Sequence, residues 1–235
     1  MSVRQDLETA GYSVVDPALK PEAVDRLVDE LGRLDPVLRA SGRGGLRNVL
    51  RLAPGVLHVM QHPAVSGIVH SALGTEAFLV KGILFDKNPG ANWNTPWHQD
   101  LTIAVQAQAE AAGYGPWSVK AGVIHVQPPV TVLERMLTVR IHLDDCGKSD
   151  GALRVLPGSH RHGEIAGHSA RAARERYPEV TCEVSRGGIL AMRPLLMHAS
   201  SSSATPKRRR VLHLEFAACE LAGRVKWFDR WQYEV

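Results

Sequence analysis

Apolar positions change their spacing part-way along the chain. Through residue 75 they recur at helical intervals. After Pro21, the residues Val24, Leu27, Val28 and Leu31 fall at i, i+3, i+4 and i+7, which predicts a helix opened by the proline. A second such stretch runs from His62-Pro63 through Val65, Ile68, Val69 and Leu73, and Gly74 marks its end. Gly11-Tyr12-Ser13-Val14-Val15 reads as a first short strand. From Glu76 onward, short runs rich in β-branched and aromatic residues alternate with Gly, Pro, Asn and Asp. These runs are 77–85, 101–105, 137–143, 152–156, 180–184, 188–192, 195–198 and 210–216. Eight short strands separated by turn residues, with no strand–helix–strand alternation, predict a mainly β sandwich or jelly roll rather than a doubly wound sheet.

Composition narrows the class. Hydrophobic residues make up 44% of the 235 and charged residues 22%, the balance of a soluble globular chain. No apolar run approaches the ~18 residues of a membrane span, and the first residues, Met1 to Thr9, hold no apolar core of a secretory signal. Cys146, Cys182 and Cys219 lie far apart without a Cys-x-x-Cys pair. A disulfide framework is therefore not expected, and a reducing, cytoplasmic compartment is. The net charge of +4 is matched by one run, Lys207-Arg208-Arg209-Arg210, so neither a nucleic-acid nor a membrane partner is expected.

The chemistry lies in the eleven histidines. A non-haem Fe(II) centre uses two histidines and one carboxylate and leaves positions open for other ligands. A His-x-Asp or His-x-Glu pair on an extended chain points both side chains the same way. Chance pairing yields about one such pair in a chain of this composition. There are four: His98/Asp100, His142/Asp144, His162/Glu164 and His213/Glu215. His213/Glu215 lies within a strong strand and can pair inside the fold, and His162/Glu164 sits in a polar loop. His142/Asp144 ends a strand and rivals His98/Asp100, which follows the turn Asn94-Thr95-Pro96. His198, near a later strand end, suits a third ligand. In the last strand, alternation puts Arg209 on one face with Val211 and His213, and Arg208 and Arg210 on the other. At least one arginine therefore points inward and can clamp a carboxylate. Gly147-Lys148-Ser149-Asp150-Gly151 matches a hydrolase elbow in letters, but a strand follows it where an elbow needs a helix, so it reads as a polar turn.

From about Gly11 to Ala217 the chain resembles the phytanoyl-CoA dioxygenase family of Fe(II)- and 2-oxoglutarate-dependent oxygenases. The resemblance rests on four ordered pieces. They are Trp97-His98-Gln99-Asp100; Leu143-Asp144-Asp145 leading to Gly151-Ala152-Leu153-Arg154-Val155-Leu156-Pro157-Gly158-Ser159-His160; His198-Ala199-Ser200; and Arg209. It implies a double-stranded β-helix, a cupin-like jelly roll, with the N-terminal helices packed outside. One oxygenase domain would span 1–235, with helical support in 1–75, the β core in 76–217 and a C-terminal extension in 218–235. It implies Fe(II) on His98, Asp100 and His198, with 2-oxoglutarate and O2 as cosubstrates. Arg209 would clamp the far carboxylate of 2-oxoglutarate, with Ser200 beside it. The implied reaction hydroxylates a C–H bond of a small molecule and releases succinate and CO2. The carboxylate at Asp100 disfavours halogenation, and no acyl-CoA signature is evident. Ser203 stands where the family often has an asparagine. The stretch from Gly115 to Pro129 looks like an insert over the pocket mouth, with Trp117, His125 and Gln127 as substrate contacts. A non-catalytic barrel binding a small molecule or metal, or a cupin-type metalloenzyme not using 2-oxoglutarate, are the alternatives.

Overall fold

The computed structural model describes residues 2–41, 44–166, 169–204 and 207–233. Thirteen strands form three sheets: β1 (Tyr12–Val15), β2 (Gly45–Arg47), β3 (Phe78–Lys87), β4 (Thr95–His98), β5 (Ile103–Val105), β6 (Trp117–Lys120), β7 (Val123–Val126), β8 (Met136–His142), β9 (Leu153–Val155), β10 (Val180–Cys182), β11 (Ile189–Met192), β12 (His198–Ser200) and β13 (Arg209–Ala217). The largest has the order β1-β11-β8-β13-β3-β2; the second is β10-β9-β12-β4; the third is β5-β7-β6. Pairing is antiparallel throughout. The first two sheets close on one cavity, lined from both, which is the double-stranded β-helix arrangement.

Strand alternation explains how a mostly apolar sheet can carry a polar site. On β8, Leu137, Val139 and Ile141 turn outward, and on β13 Leu212, Leu214 and Phe216 do the same. They meet the helices α1 (Val3–Thr9), α2 (Pro21–Gly32), α3 (Asp35–Ser41), α4 (Val49–Leu52) and α5 (Pro63–Leu73) through Leu7, Leu27, Leu31, Leu38, Leu50, Val65 and Val69 in one buried core. The intervening residues Arg140, Arg209, His213 and Glu215 face the cavity. The helical layer therefore stabilises one face by apolar burial and leaves the other free for chemistry. Gly82 lets α4 approach β3: a Cβ there would stand 2.7 Å from Leu50 and 2.8 Å from Val49.

The helices expected after Pro21 and Pro63 form, the second ending before Gly74. Two regions differ from expectation. The stretch read as an insert is the hairpin β6–β7, turned by Ala121 and Gly122, both at positive φ (50° and 77°), as a two-residue hairpin loop requires. With β5 it builds the third sheet. The strand expected at 195–198 instead runs from His198 to Ser200. The Leu196 amide bonds the Arg193 carbonyl (3.0 Å) in a turn through Pro194, which buries Leu195 and Leu196 without strand pairing. Among the described residues no helix is long and apolar enough to cross a membrane.

Candidate metal centre and active site

Two strands of the second sheet bring the expected ligands together. His98, the last residue of β4, is the register partner of His198, the first of β12, and their ring centroids lie 4.1 Å apart. Asp100 Oδ1 is 3.8 Å from His98 Nε2, and Asp100 Oδ2 is 3.7 Å from His198 Nε2. The three residues offer ligand atoms all within 4.8 Å of one another, the one such group among the described residues.

Each ligand is held by its neighbours. His98 Nδ1 bonds the Pro96 carbonyl and His198 Nδ1 bonds the Leu196 carbonyl, both at 2.8 Å. A carbonyl accepts only a donated proton, so both rings carry hydrogen on Nδ1 and turn the Nε2 lone pair inward. Between His98 and Asp100, Gln99 points the other way, as alternation demands. Its Nε2 donates to Leu195 O (2.6 Å) and Gly163 O (2.8 Å), and its Oε1 accepts from the Ile165 amide (2.7 Å). The Pro-Gly-Ser-His piece acts on the other strand. Ser159, fully buried, accepts the amide of Met197, the residue before His198, at 2.9 Å.

The electrostatics suit a cation. Burial, then the Asp100 carboxylate, act on His198 in opposite directions; burial wins and lowers it from 6.5 to about 4, so the ring is neutral at physiological pH. Burial would raise Asp100, but His198, His213, His98 and Lys81 together hold its carboxyl well below the usual range. Its Oδ2 is buried and accepts no hydrogen bond. An ionised carboxylate oxygen without a donor, facing two inward lone pairs, is a ligand set for a divalent metal of the two-histidine, one-carboxylate type.

Buried cations line the same cavity of about 230 Å³. Arg209 is buried (4% exposed), and its Nε has no partner. Arg208 instead binds Asp35 and Asp86, and Arg210 binds Asp144. Alternation in β13 therefore turns the arginines as expected. Ser200 lines the same wall and accepts from Lys87 Nζ at 3.2 Å. Lys87 lies directly opposite Arg209 in the β3–β13 pair and also bonds the Ser201 carbonyl. Burial, reinforced by Arg209, lowers its ammonium to about 8. Arg140 donates to His213 Nδ1 at 2.9 Å, and its own Nε is unpartnered. Burial and the neighbouring Arg209 pull it down to about 10. Two neighbouring buried guanidiniums, each with an unpartnered Nε, have the donors with which arginines bind carboxylates.

The rival pairs fall elsewhere. Asp144 is taken by Arg210, and His142 is buried outside the cavity wall. Glu164 accepts from Gln127 at 2.8 Å. His213 and Glu215 do line the cavity, but Glu215 is engaged by Lys81 (2.6 Å) and His213 (3.1 Å). Gly147–Gly151 is a polar turn with a short 3-10 helix over Lys148–Asp150. None of the three suggested substrate contacts lines the cavity. Trp117 packs beside the core of Ile103, Val126 and Trp227. His125 is buried with Nδ1 on Val123 O (3.0 Å), and Gln127 turns to Glu164. The hairpin reaches the cavity through Lys120 instead. Arg47, Lys81, Lys87, Lys120 and Arg140 were missed by motif reading. For Lys81, Lys87 and Arg140 a signal existed, since each is a charged residue inside an apolar strand.

Comparison with known proteins now decides the family. The family model described as phytanoyl-CoA dioxygenase (PhyH) matches residues 7–211. The chain belongs to the phytanoyl-CoA dioxygenase family. Among curated relatives of this family member, L-proline trans-4-hydroxylase of Streptomyces griseoviridis is 26% identical over 183 residues, 66% of this chain. The chain spans 59% of that enzyme's length. Among solved structures, EctD from S. alaskensis with bound Fe superposes with a TM-score of 0.74 at 19% identity, covering 100% of this chain and 87% of EctD. The same protein with 2-oxoglutarate and 5-hydroxyectoine gives 0.71 at 20% identity, covering 93% and 76%. At this identity the likeness speaks to fold, and it agrees with the two-sheeted barrel described above.

Proposed function

We propose that this family member is an Fe(II)- and 2-oxoglutarate-dependent dioxygenase that hydroxylates a C–H bond of a small molecule, releasing succinate and CO2. His98, Asp100 and His198 would hold the iron, and Arg209, with Ser200 beside it, would receive the far carboxylate of 2-oxoglutarate. One observation carries the reading: the clustered ligand atoms of the triad, with Asp100 Oδ2 unpartnered, share a cavity with the buried Arg209, whose Nε has no partner. The bound iron and 2-oxoglutarate would supply the oxidising chemistry with O2.

The chain's own contributions follow from its geometry. Neutral Nε2 atoms on His98 and His198 and an ionised Asp100 give a metal one net negative ligand. The bonds of Gln99 and Ser159 hold those ligands from behind, so little reorganisation is needed on binding. Arg209 and Arg140 provide fixed positive charge where water is scarce, which favours a dicarboxylate and orients it. The enclosing sheets limit solvent around His198 and Arg209, which are 3% and 4% exposed. A soluble compartment inside the cell and a small-molecule partner belong to this reading.

The test is twofold. Anaerobic titration of 2-oxoglutarate into Fe(II)-loaded protein should show saturable binding. In air, succinate and CO2 should form only with both Fe(II) and 2-oxoglutarate present. Metal binding without 2-oxoglutarate affinity would overturn the proposal and favour a metal-binding barrel.

A further inference from the structure

The cavity carries more positive charge than iron and 2-oxoglutarate account for. Arg47, Lys81, Lys120, Arg140 and Arg209 line it, against the carboxylates of Asp100 and Glu215. A ferrous ion and a doubly charged 2-oxoglutarate cancel one another. Lys81 is neutralised by Glu215 at 2.6 Å, and Arg209 and Arg140 stand together at the anion site. The five cations and two carboxylates therefore leave an excess of three positive charges, and two of the cations, Arg47 and Lys120, belong neither to the Lys81–Glu215 pair nor to the two arginines of the anion site. Neither makes an ion pair with an acidic residue among those described.

These two come from separate elements and are held near one another. Arg47 ends β2 and Lys120 ends β6. The next residue of each is linked: Asn48 Nδ2 donates to the Ala121 carbonyl at 3.4 Å. Asn48 sits at φ 60°, the left-handed region, where the chain turns from β2 into α4. Gly82 admits α4 against the sheet beside it. Lys120 is further aimed by a 2.7 Å bond from its Nζ to Thr102 Oγ1, two residues beyond Asp100 of the triad. Burial, then Lys81 and Arg47, lower its ammonium, and the nearby carboxylates of Asp100 and Glu215 oppose this without overcoming it. Arg47, Ile83, Phe85 and Trp93 are shared with an adjoining groove of about 590 Å³. That groove is walled by Leu46, Ile83, Phe85 and Trp93. A molecule entering by it meets an apolar, partly aromatic wall first and the cation pair next, beside the metal triad.

We propose that the substrate is an organic acid whose carboxylate is held between Arg47 and Lys120 while its apolar body lies along Phe85 and Trp93. This rests on the dioxygenase reading and names the substrate class for the same site. The cation pair fixes one end of the molecule, and the carbon presented to the triad lies a short span from the carboxylate. Arg47 and Lys120 are thus specificity residues distinct from Arg209, which serves the cosubstrate.

The experiment uses anaerobic protein loaded with Fe(II) and 2-oxoglutarate, followed by its iron-to-2-oxoglutarate charge-transfer absorption. Absence of that band before any acid is added means the dioxygenase reading itself has failed, and this proposal falls with it. Given the band, benzoate, phenylacetate and cyclohexanecarboxylate are titrated beside their primary amides. At least one acid should shift the band without abolishing it and bind about tenfold more tightly than its amide. Arg47→Gln and Lys120→Gln should each weaken that acid about tenfold, with amide and 2-oxoglutarate affinities within twofold of the parent. The proposal is overturned if no acid surpasses its amide, or if the acid bleaches the band by displacing 2-oxoglutarate. It is also overturned if the two substitutions weaken 2-oxoglutarate as much as the acid.

Discussion

His98 and His198 are register partners across β4 and β12, and each fixes its ring by the same device, a 2.8 Å bond from Nδ1 to the carbonyl two residues earlier. The two imidazoles therefore have matching tautomers before any metal arrives. Because Asp100 is anchored by its amide on the Pro194 carbonyl at 2.9 Å, all three ligand positions are set by backbone.

That preorganisation predicts a sharp ligand hierarchy. Groups that merely support a ligand typically change metal affinity by about 10–100-fold, so His98→Ala should exceed that range for Mn(II) measured by calorimetry. Asp100→Ala should do the same while keeping weak 2-oxoglutarate affinity through Arg209. His142→Ala, which removes the histidine of the rival pair, should leave Mn(II) affinity near the parent value. Equal losses in His98→Ala and His142→Ala would remove the ligand assignment.

Arg209→Ala should spare metal binding and weaken 2-oxoglutarate. Removing one partner of a desolvated charged pair costs about 2–5 kcal/mol, or roughly 30-fold and upward in affinity. Arg208→Ala should instead lower the melting temperature, because Arg208 joins Asp35 of the helical layer to Asp86 of β3. Arg210→Ala should release Asp144 with little effect on 2-oxoglutarate. Anaerobic titrations of the three single variants check this. The largest effect at 208 or 210 would contradict the register of β13.

The clustering of His98, Asp100 and His198 was legible because it uses a short local pattern, His98-Gln99-Asp100, and a histidine beside a strand end. Arg209 was legible from period-two alternation in β13. The cation pair was not, since Arg47 and Lys120 are brought near one another by contacts over seventy residues apart, such as Asn48 with Ala121. Nothing local marks either residue. The hairpin β6–β7 was located as a special segment, yet its face was misjudged. Alternation from Trp117 and pairing with β5 bury His125 and send Gln127 to Glu164, leaving Lys120 at the turn as the residue that reaches the cavity. Trp117 joins an apolar cluster that the sequence did not foretell, because its partners Val126 and Trp227 come from other elements.

Acid should destabilise the metal-free protein through its buried histidines. His125 is lowered from 6.5 to about 4, chiefly by burial, and His198 likewise. Above pH 6.5 each is neutral in both states and has no effect. As the pH falls from about 6.5 to 4, the unfolded chain takes up protons that the folded chain refuses, so stability declines over that window. For each ring the loss amounts to a few kcal/mol at most by pKa linkage. Asp100, held below its usual range, begins to contribute a loss only below about its unfolded value of 3.8. Urea midpoints measured from pH 7.5 to 4.5 should fall steadily. A flat profile would mean that these rings are solvated and titrate freely.

Packing at Gly82 should be as sensitive as the chemistry. Its missing Cβ would lie 2.7 Å from Leu50 Cδ2 and 2.8 Å from Val49 Cγ1, closer than van der Waals contact permits. Leu50 can swing its terminal methyl aside, but Val49 is β-branched and has little rotamer freedom. Gly82→Ala must therefore lift α4 from the sheet, at a cost of about 1–3 kcal/mol typical of overpacking. Gly67 provides the contrast. It lies within α5, and nothing stands within 4 Å of a Cβ built there. Gly67→Ala should raise stability by about 0.5–1 kcal/mol through helix propensity and reduced unfolded-state freedom. Opposite shifts in denaturation midpoint for two identical substitutions would locate the constraint at the α4–β3 contact rather than in glycine chemistry. Because α4 follows directly from Asn48, the Gly82→Ala variant should also displace Arg47. Metal affinity, set by β4 and β12 on the facing sheet, should stay unchanged, and Mn(II) calorimetry on the same sample checks that separation.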